Sequence, residues 1–263
     1  MKGTAKNLEK IFNLKNKVAV VIGGGGHLCS SMAEGLAMAG CSLVIVDIRL
    51  EKARNISNKI RDEFFTNIIS LEADVTNEKS LIYVLEKSLK KFEKIDILIN
   101  GAGINSPKPF LEINLDDWHK VMDSQLTGTM LGCKIFAPHM IKNNSGSIIN
   151  ISSASAGPPL SKAFAYSVAK AGIRNLTMNL AREWAKYNIR VNAIRPGFFP
   201  TDWNRKNFIT PEREKAILNH TPMGRYGESD ELIGSTIWLA SDASSFVTGS
   251  EVTIDGGFSC MTI

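Results

Sequence analysis

The sequence predicts an α/β fold in one domain over residues 1–263: a doubly wound parallel sheet with helices on both faces. Three observations point there. Short apolar, partly β-branched runs alternate with helical stretches along the whole chain, as crossover connections between parallel strands require. The first run ends in four consecutive glycines, Gly23 to Gly26, directly before a helical stretch. No interdomain linker, repeat or low-complexity segment interrupts the 263 residues, and open α/β sheets reach this size in one piece.

Bulk properties exclude several classes. A hydrophobic fraction of 44% and a charged fraction of 22% are ordinary for a globular chain, and the longest apolar run, around Val18 to Ile22, is too short to cross a bilayer. Residues 1–16 are polar and Lys-rich without the apolar core of a signal peptide, which predicts a cytoplasmic protein with residues 1–13 as an N-terminal extension. The net charge of +5 is spread among acids, and its densest basic group, Lys87 to Lys94, falls on an amphipathic helix, so no nucleic-acid partner is expected. Cys29, Cys41, Cys133 and Cys260, with His27, His119, His139 and His220, show no ligand-like spacing; neither a metal site nor a disulfide is expected.

The elements follow in order. The strand Lys17–Ile22, the glycine turn and a helix from Leu28 to Ala39 make an arrangement that offers backbone N–H groups and a helix N-terminus to a phosphate. The glycines do not repeat the G-x-G-x-x-G spacing, because His27 and Cys29 stand where more glycine is usual. The strand Ser42–Asp47 closes on an acid about twenty residues beyond the glycines, placed to accept from adenosine ribose hydroxyls. That favours NAD over NADP, although Arg49 keeps a 2′-phosphate in play. A helix from Leu50 to Phe65 and a strand at Ile68–Glu72 lead to Asp74-Val75, where Asp74 meets either an adenine edge or the start of a helix near Asn77.

The next helix, about Lys79 to Phe92, precedes the strand Ile95–Ile99 and the small residues Asn100-Gly101-Ala102-Gly103. These allow backbone to approach a flat ligand or a helix to pack closely. A helical stretch from Asp116 to Lys142 is interrupted by Gly128, Gly132 and Pro138. After it come the strand Ser147–Ile151, a small-residue loop through Ser152, Ser153 and Ser155, and a helix from Ala163 to about Tyr187. That helix carries Tyr166 and Lys170, four apart and therefore on one face. A cation there favours the phenolate and lowers a phenol that otherwise titrates near ~10. Ser153, at a strand end, is placed to steady the oxygen that Tyr166 protonates.

The strand Ile189–Ile194 ends at Arg195-Pro196-Gly197, and residues 198–225 become irregular, with Phe198, Arg205 and other aromatic and basic residues. Such an insertion reads as a lid over a small polar substrate, or as an oligomer contact. A helix from Ser229 to Ala240, the strand Glu251–Ile254 and the turn Asp255-Gly256-Gly257 close the pattern.

Taken together, the Gly23–Gly26 turn, Asp74-Val75, Asn100-Gly101-Ala102-Gly103, Ser153, Tyr166 with Lys170, Pro196-Gly197 with Thr201, and Asp255-Gly256-Gly257 resemble the short-chain dehydrogenase/reductase family from about Leu14 to Phe258. The resemblance implies a Rossmann fold of about seven strands, a homotetramer and a nicotinamide dinucleotide. It makes Tyr166 the acid/base, Lys170 the group that lowers its pKa and holds the nicotinamide ribose, and Ser153 the group that positions the substrate oxygen. Gly23, Gly25, Gly26, His27, Leu28, Asp47, Asp74, Val75 and Asn100 to Ala102 would hold the cofactor, with Pro196, Gly197 and Thr201 against the carboxamide. Ser155, Phe198 and Arg205 would face the substrate. One departure is Gln125, where the family generally has an Asn that helps hold a proton-relay water.

The stretches Gly23 to Cys29, Gly197 to Thr201 with Asn204-Arg205, and His220 to Arg225 resemble, within the family, members acting as D-mannonate oxidoreductases. The expectation is NAD(H)-dependent interconversion of a secondary alcohol and a ketone on a sugar acid or polyol, with Arg205 pairing a carboxylate. Two alternatives stand beside it: reduction of a 3-oxoacyl thioester, and a nucleotide-binding scaffold whose turnover is weakened by Gln125.

Overall fold

The computed structural model describes residues 8–201, 205 and 209–261. Seven parallel strands form one sheet in the order β3-β2-β1-β4-β5-β6-β7: β1 Val18–Ile22, β2 Ser42–Asp47, β3 Ile68–Glu72, β4 Ile97–Asn100, β5 Gly146–Ile151, β6 Ile189–Pro196 and β7 Glu251–Ile254. Among the described residues the α-helices are α1 Leu8–Phe12, α2 His27–Met38, α3 Leu50–Phe64, α4 Glu78–Phe92, α5 Leu115–Met122, α6 Gly128–Lys142, α7 Phe164–Trp184, α8 Pro211–Asn219 and α9 Ile233–Ala240.

Alternation along each strand divides the core in two. In β1, Ala19 and Val21 face one apolar layer, with Met32, Leu36 and Leu239, while Val20 and Ile22 face the other, with Leu81, Val84 and Phe136. Burial on both faces explains why the strands read as continuous apolar runs. On the first face α2 comes close to α9 because Gly35 has no side chain; a Cβ there would lie 2.6 Å from Ile233 Cγ2.

The stretch expected to be helical from Asp116 to Lys142 is divided, but not at its glycines. Between α5 and α6 the residues Asp123–Thr127 form one π-helical turn, an extra residue that rotates Gln125 into the interior. Gly132 and Pro138 lie within α6. Gly132 is required by packing, since a Cβ would stand 2.3 Å from Asn100 Oδ1. The N-cap of α4 is Asn77, whose side chain accepts from the Lys79 and Ser80 amides, so the capping role considered for Asp74 falls three residues later.

Candidate active site

The strand order reverses between β1 and β4, and the loops leaving their carboxyl ends touch. Gly23 has φ +80°, and a Cβ there would come within 2.7 Å of the Ala102 amide nitrogen, so the turn can close on this neighbour only as glycine. Gly101 lies against Cys29, whose Sγ would be 2.2 Å from an added Cβ. The Gly23 and Gly24 amides both donate to the Val46 carbonyl, at 2.8 and 2.9 Å, which ties the turn to β2. Gly26 opens α2 in extended conformation without a side-chain cap, and the first N–H groups of the helix, those of His27 and Leu28, are thereby offered to an anion.

Asp47 sits over the same turn. Its Oδ2 would lie 2.7 Å from a Cβ on Gly25, while Oδ1 accepts from the Arg49 amide at 3.0 Å. Asp74 accepts from the Thr76 amide and hydroxyl at 2.9 and 2.8 Å, and Val75 packs against Gly128. Asn100 is buried; it donates to Asn150 Oδ1 at 2.9 Å, and its own Oδ1 has no hydrogen-bond partner. At the far side Gly197 donates to the Ile254 carbonyl at 2.9 Å and abuts Asp255, and the Thr201 carbonyl accepts from the Arg205 amide. A ring of glycines, open amides and one carboxylate thus fits the pyrophosphate and ribose of a dinucleotide.

Beside this crevice a cavity of about 560 Å³ brings together Ser153, Tyr166, Phe198 and Phe199. Ser153 Oγ accepts twice, from the Ser155 amide at 3.2 Å and the Ser155 hydroxyl at 3.1 Å. With its acceptor sites used, the Ser153 hydroxyl is left as a donor. It acts on Tyr166, which burial pushes above the ordinary phenol range and which Ser153 pulls back. Lys170 is fully enclosed; its Nζ donates to the Ile151 carbonyl at 2.6 Å and stands 5.4 Å from the Tyr166 ring centroid. Burial lowers the ammonium to about 8. Burial and Ser153 thus act on Tyr166 in opposite directions, and Lys170 stands one turn along α7 from it.

Three expected site residues lie elsewhere. Ser155 is buried behind Ser153 and supports it. Gln125 donates from Nε2 to the Ile104 carbonyl at 2.9 Å and lies under Gly103, where a Cβ would strike it at 2.3 Å; it props the loop after β4. Arg205 is exposed and stacks on Tyr226, 4.7 Å from the ring centroid, outside the residues that line the cavity. Residues 202–204 and 206–208 of the expected lid, Asn204 among them, and residues 1–7 of the N-terminal extension lie outside the described residues.

Other residues at the site were not singled out individually in the sequence. Lys162 and Arg213 line the cavity. Behind Ser153, Glu251 accepts from the Ser152 hydroxyl at 2.6 Å and pairs with Arg195 at 3.4 Å, and Arg195 donates to the Ala154 carbonyl at 3.1 Å. Positions on distant strands meet only after folding; no local spacing announces them.

Comparison with known proteins accords with this geometry. Residues 28–259 match the family model described as enoyl-(acyl carrier protein) reductase, of the short-chain dehydrogenase type. The NAD-dependent glycerol dehydrogenase of Listeria innocua is 34% identical over 97% of this chain and 98% of its own. The 2-dehydro-3-deoxy-D-gluconate 5-dehydrogenase of Escherichia coli is 35% identical over 94% of this chain and 97% of its own. A gluconate 5-dehydrogenase from Burkholderia cenocepacia, solved with NADP and tartrate, superposes with a TM-score of 0.92 at 33% identity, covering 97% of this chain and 100% of that one. The chain belongs to the short-chain dehydrogenase/reductase family of oxidoreductases.

Proposed function

We propose that the protein is an NAD(H)-dependent oxidoreductase that interconverts a secondary alcohol and a ketone on a small polar substrate, a sugar acid of the D-mannonate or D-fructuronate kind or a polyol. The observation that carries this reading is that Ser153 and Tyr166 line one cavity, with Lys170 Nζ 5.4 Å from the Tyr166 ring centroid.

When bound, the dinucleotide supplies a hydride acceptor or donor at its nicotinamide. In oxidation Tyr166 takes the hydroxyl proton of the substrate; in reduction it returns one to the carbonyl oxygen, with Ser153 donating to that oxygen in both directions. Lys170 holds the ribose beside the reacting carbon. The glycine turn with His27 and Leu28 takes the pyrophosphate, Asp47 the adenosine ribose, and Asp74-Val75 the adenine. Asn100 to Ala102 line the cofactor crevice, and Pro196, Gly197 and Thr201 lie against the carboxamide. The crowding of Asp47 on Gly25 supports NAD: a 2′-phosphate there would meet a carboxylate. Gln125 acts on the site through the loop at Gly103-Ile104.

The reading extends to a cytoplasmic homotetramer, with residues 1–13 as an extension and residues 198–225 as a lid. Among the described residues, no helix is long and apolar enough to cross a membrane.

The test is a screen of the pure protein with NAD+ and NADP+ against hexonates, polyols and hydroxyacyl thioesters. Reduction of NAD+ by a hexonate or polyol is expected; turnover confined to the thioesters, or none despite tight NADH binding, contradicts the proposal.

A further inference from the structure

We propose that Lys162 and Arg213 form a carboxylate clamp at the mouth of the Ser153–Tyr166 cavity, which makes the substrate an acid rather than a neutral polyol. The inference rests on the hydride-transfer reading above and narrows its substrate class.

The two cations come from segments far apart in the chain and converge on one cavity. Lys162 lies four residues before Tyr166, at the entrance of α7, in the left-handed region at φ +58°. For a residue with a Cβ this backbone is strained, and such strain persists only where the surroundings impose it. Arg213 lies on α8, and Ile217, four residues on, lines the same cavity, so this helix face is turned inward. Glu212 and Glu214 do not line the cavity, although they neighbour Arg213 in the chain. Arg213 Nη1 donates to Ser161 Oγ at 3.4 Å, which ties α8 to the segment holding Lys162.

Charge and chemistry then select the ligand. No carboxylate lines the cavity among its described residues, and neither Lys162 nor Arg213 is in a salt bridge among them. Phe198, Phe199 and Ile209 add apolar wall between these groups, and Asn105 is a further, neutral polar residue of the lining. A ligand that satisfies both ends carries an oxygen at Ser153 and Tyr166 and an anion some carbons away. A planar carboxylate suits the guanidinium fork and the ammonium together. A hexitol of the same length offers only hydroxyls there.

The experiment compares D-gluconate with D-glucitol, and D-mannonate with D-mannitol, at saturating NAD+ for the wild-type chain and for Lys162→Gln, Arg213→Gln and Arg213→Lys. Both positions are exposed, so thermal unfolding should be unchanged. The expected result is a preference for the acids, a KM for the acids raised about tenfold by either Gln variant with kcat nearly kept, and alditol kinetics within about twofold of wild type. Arg213→Lys should keep part of the effect. Alditols oxidised as well as acids, or variants that slow both alike, would overturn the clamp, as would faster turnover of an acyl thioester.

If none of the four compounds turns over, the oxidoreductase reading for sugars fails. The clamp is then read separately by calorimetric titration of gluconate into the protein with NADH. An affinity lowered about tenfold in Arg213→Gln sustains it; no binding, or equal binding, overturns it.

Discussion

Arg195 and Glu251 pair 3.4 Å apart directly behind Ser153, and each grips one neighbour of that serine: Glu251 the Ser152 hydroxyl, Arg195 the Ala154 carbonyl. Both side chains are 11% exposed. Removing one partner from such a pair leaves the other charge enclosed and unpaired. Glu251→Ala is expected to cost about 3 kcal/mol in urea unfolding, and Glu251→Gln, which can still accept from Ser152, clearly less. A loss below about 1 kcal/mol for the Ala variant would show that the pair does not hold the loop.

Gly101 and Cys29 make a second test. An alanine at 101 would place its Cβ 2.2 Å from Cys29 Sγ, so Gly101→Ala should destabilise by about 1–3 kcal/mol. Cys29→Ala removes the colliding sulfur, and the double variant should be more stable than Gly101→Ala alone. Strict additivity in denaturant unfolding would contradict the contact.

The proposed preference for NAD rests on Asp47. Wild-type kcat/KM is expected to favour NAD+ over NADP+ by at least about tenfold, and Asp47→Asn should narrow that ratio mainly by improving NADP+. An unchanged ratio would remove Asp47 from cofactor selection.

Lys170 predicts a pH dependence of stability. Burial lowers its pKa from 10.5 to about 8, so between those values the unfolded chain binds a proton that the folded one has released. The cost of enclosing the ammonium is complete below about pH 8 and disappears as pH rises toward 10.5. Lys170→Met should therefore gain most stability over wild type near pH 7 and lose that advantage by pH 10. A pH-independent difference between the two unfolding curves would show that Lys170 is not desolvated.

Much of this was legible in the sequence for a physical reason: strands buried on both faces must be continuously apolar, and parallel strands must alternate with helices. The strand order itself and the division of the 116–142 stretch were not. A π-helical turn at Asp123–Thr127 leaves no mark in apolar spacing, and helix-breaking residues nearby drew the expectation to Gly128, Gly132 and Pro138 instead. At the site, Tyr166 with Lys170 was readable from a spacing of four, and Ser153 from its place at a strand end. Arg205 drew attention as a basic residue in the expected lid, yet it stacks on Tyr226, and Arg213, in the first turn of α8, is the arginine that lines the cavity. Residue type identified the chemistry of that segment; only the helix direction identified the residue.

The most direct measurement of the account is steady-state turnover of Tyr166→Phe, with NADH affinity determined on the same preparation. Loss of the phenolic proton should lower kcat by about 10²–10⁴ while NADH binds within a few-fold of wild type. A kcat close to wild type would remove Tyr166 from the proton transfer and with it the proposed chemistry.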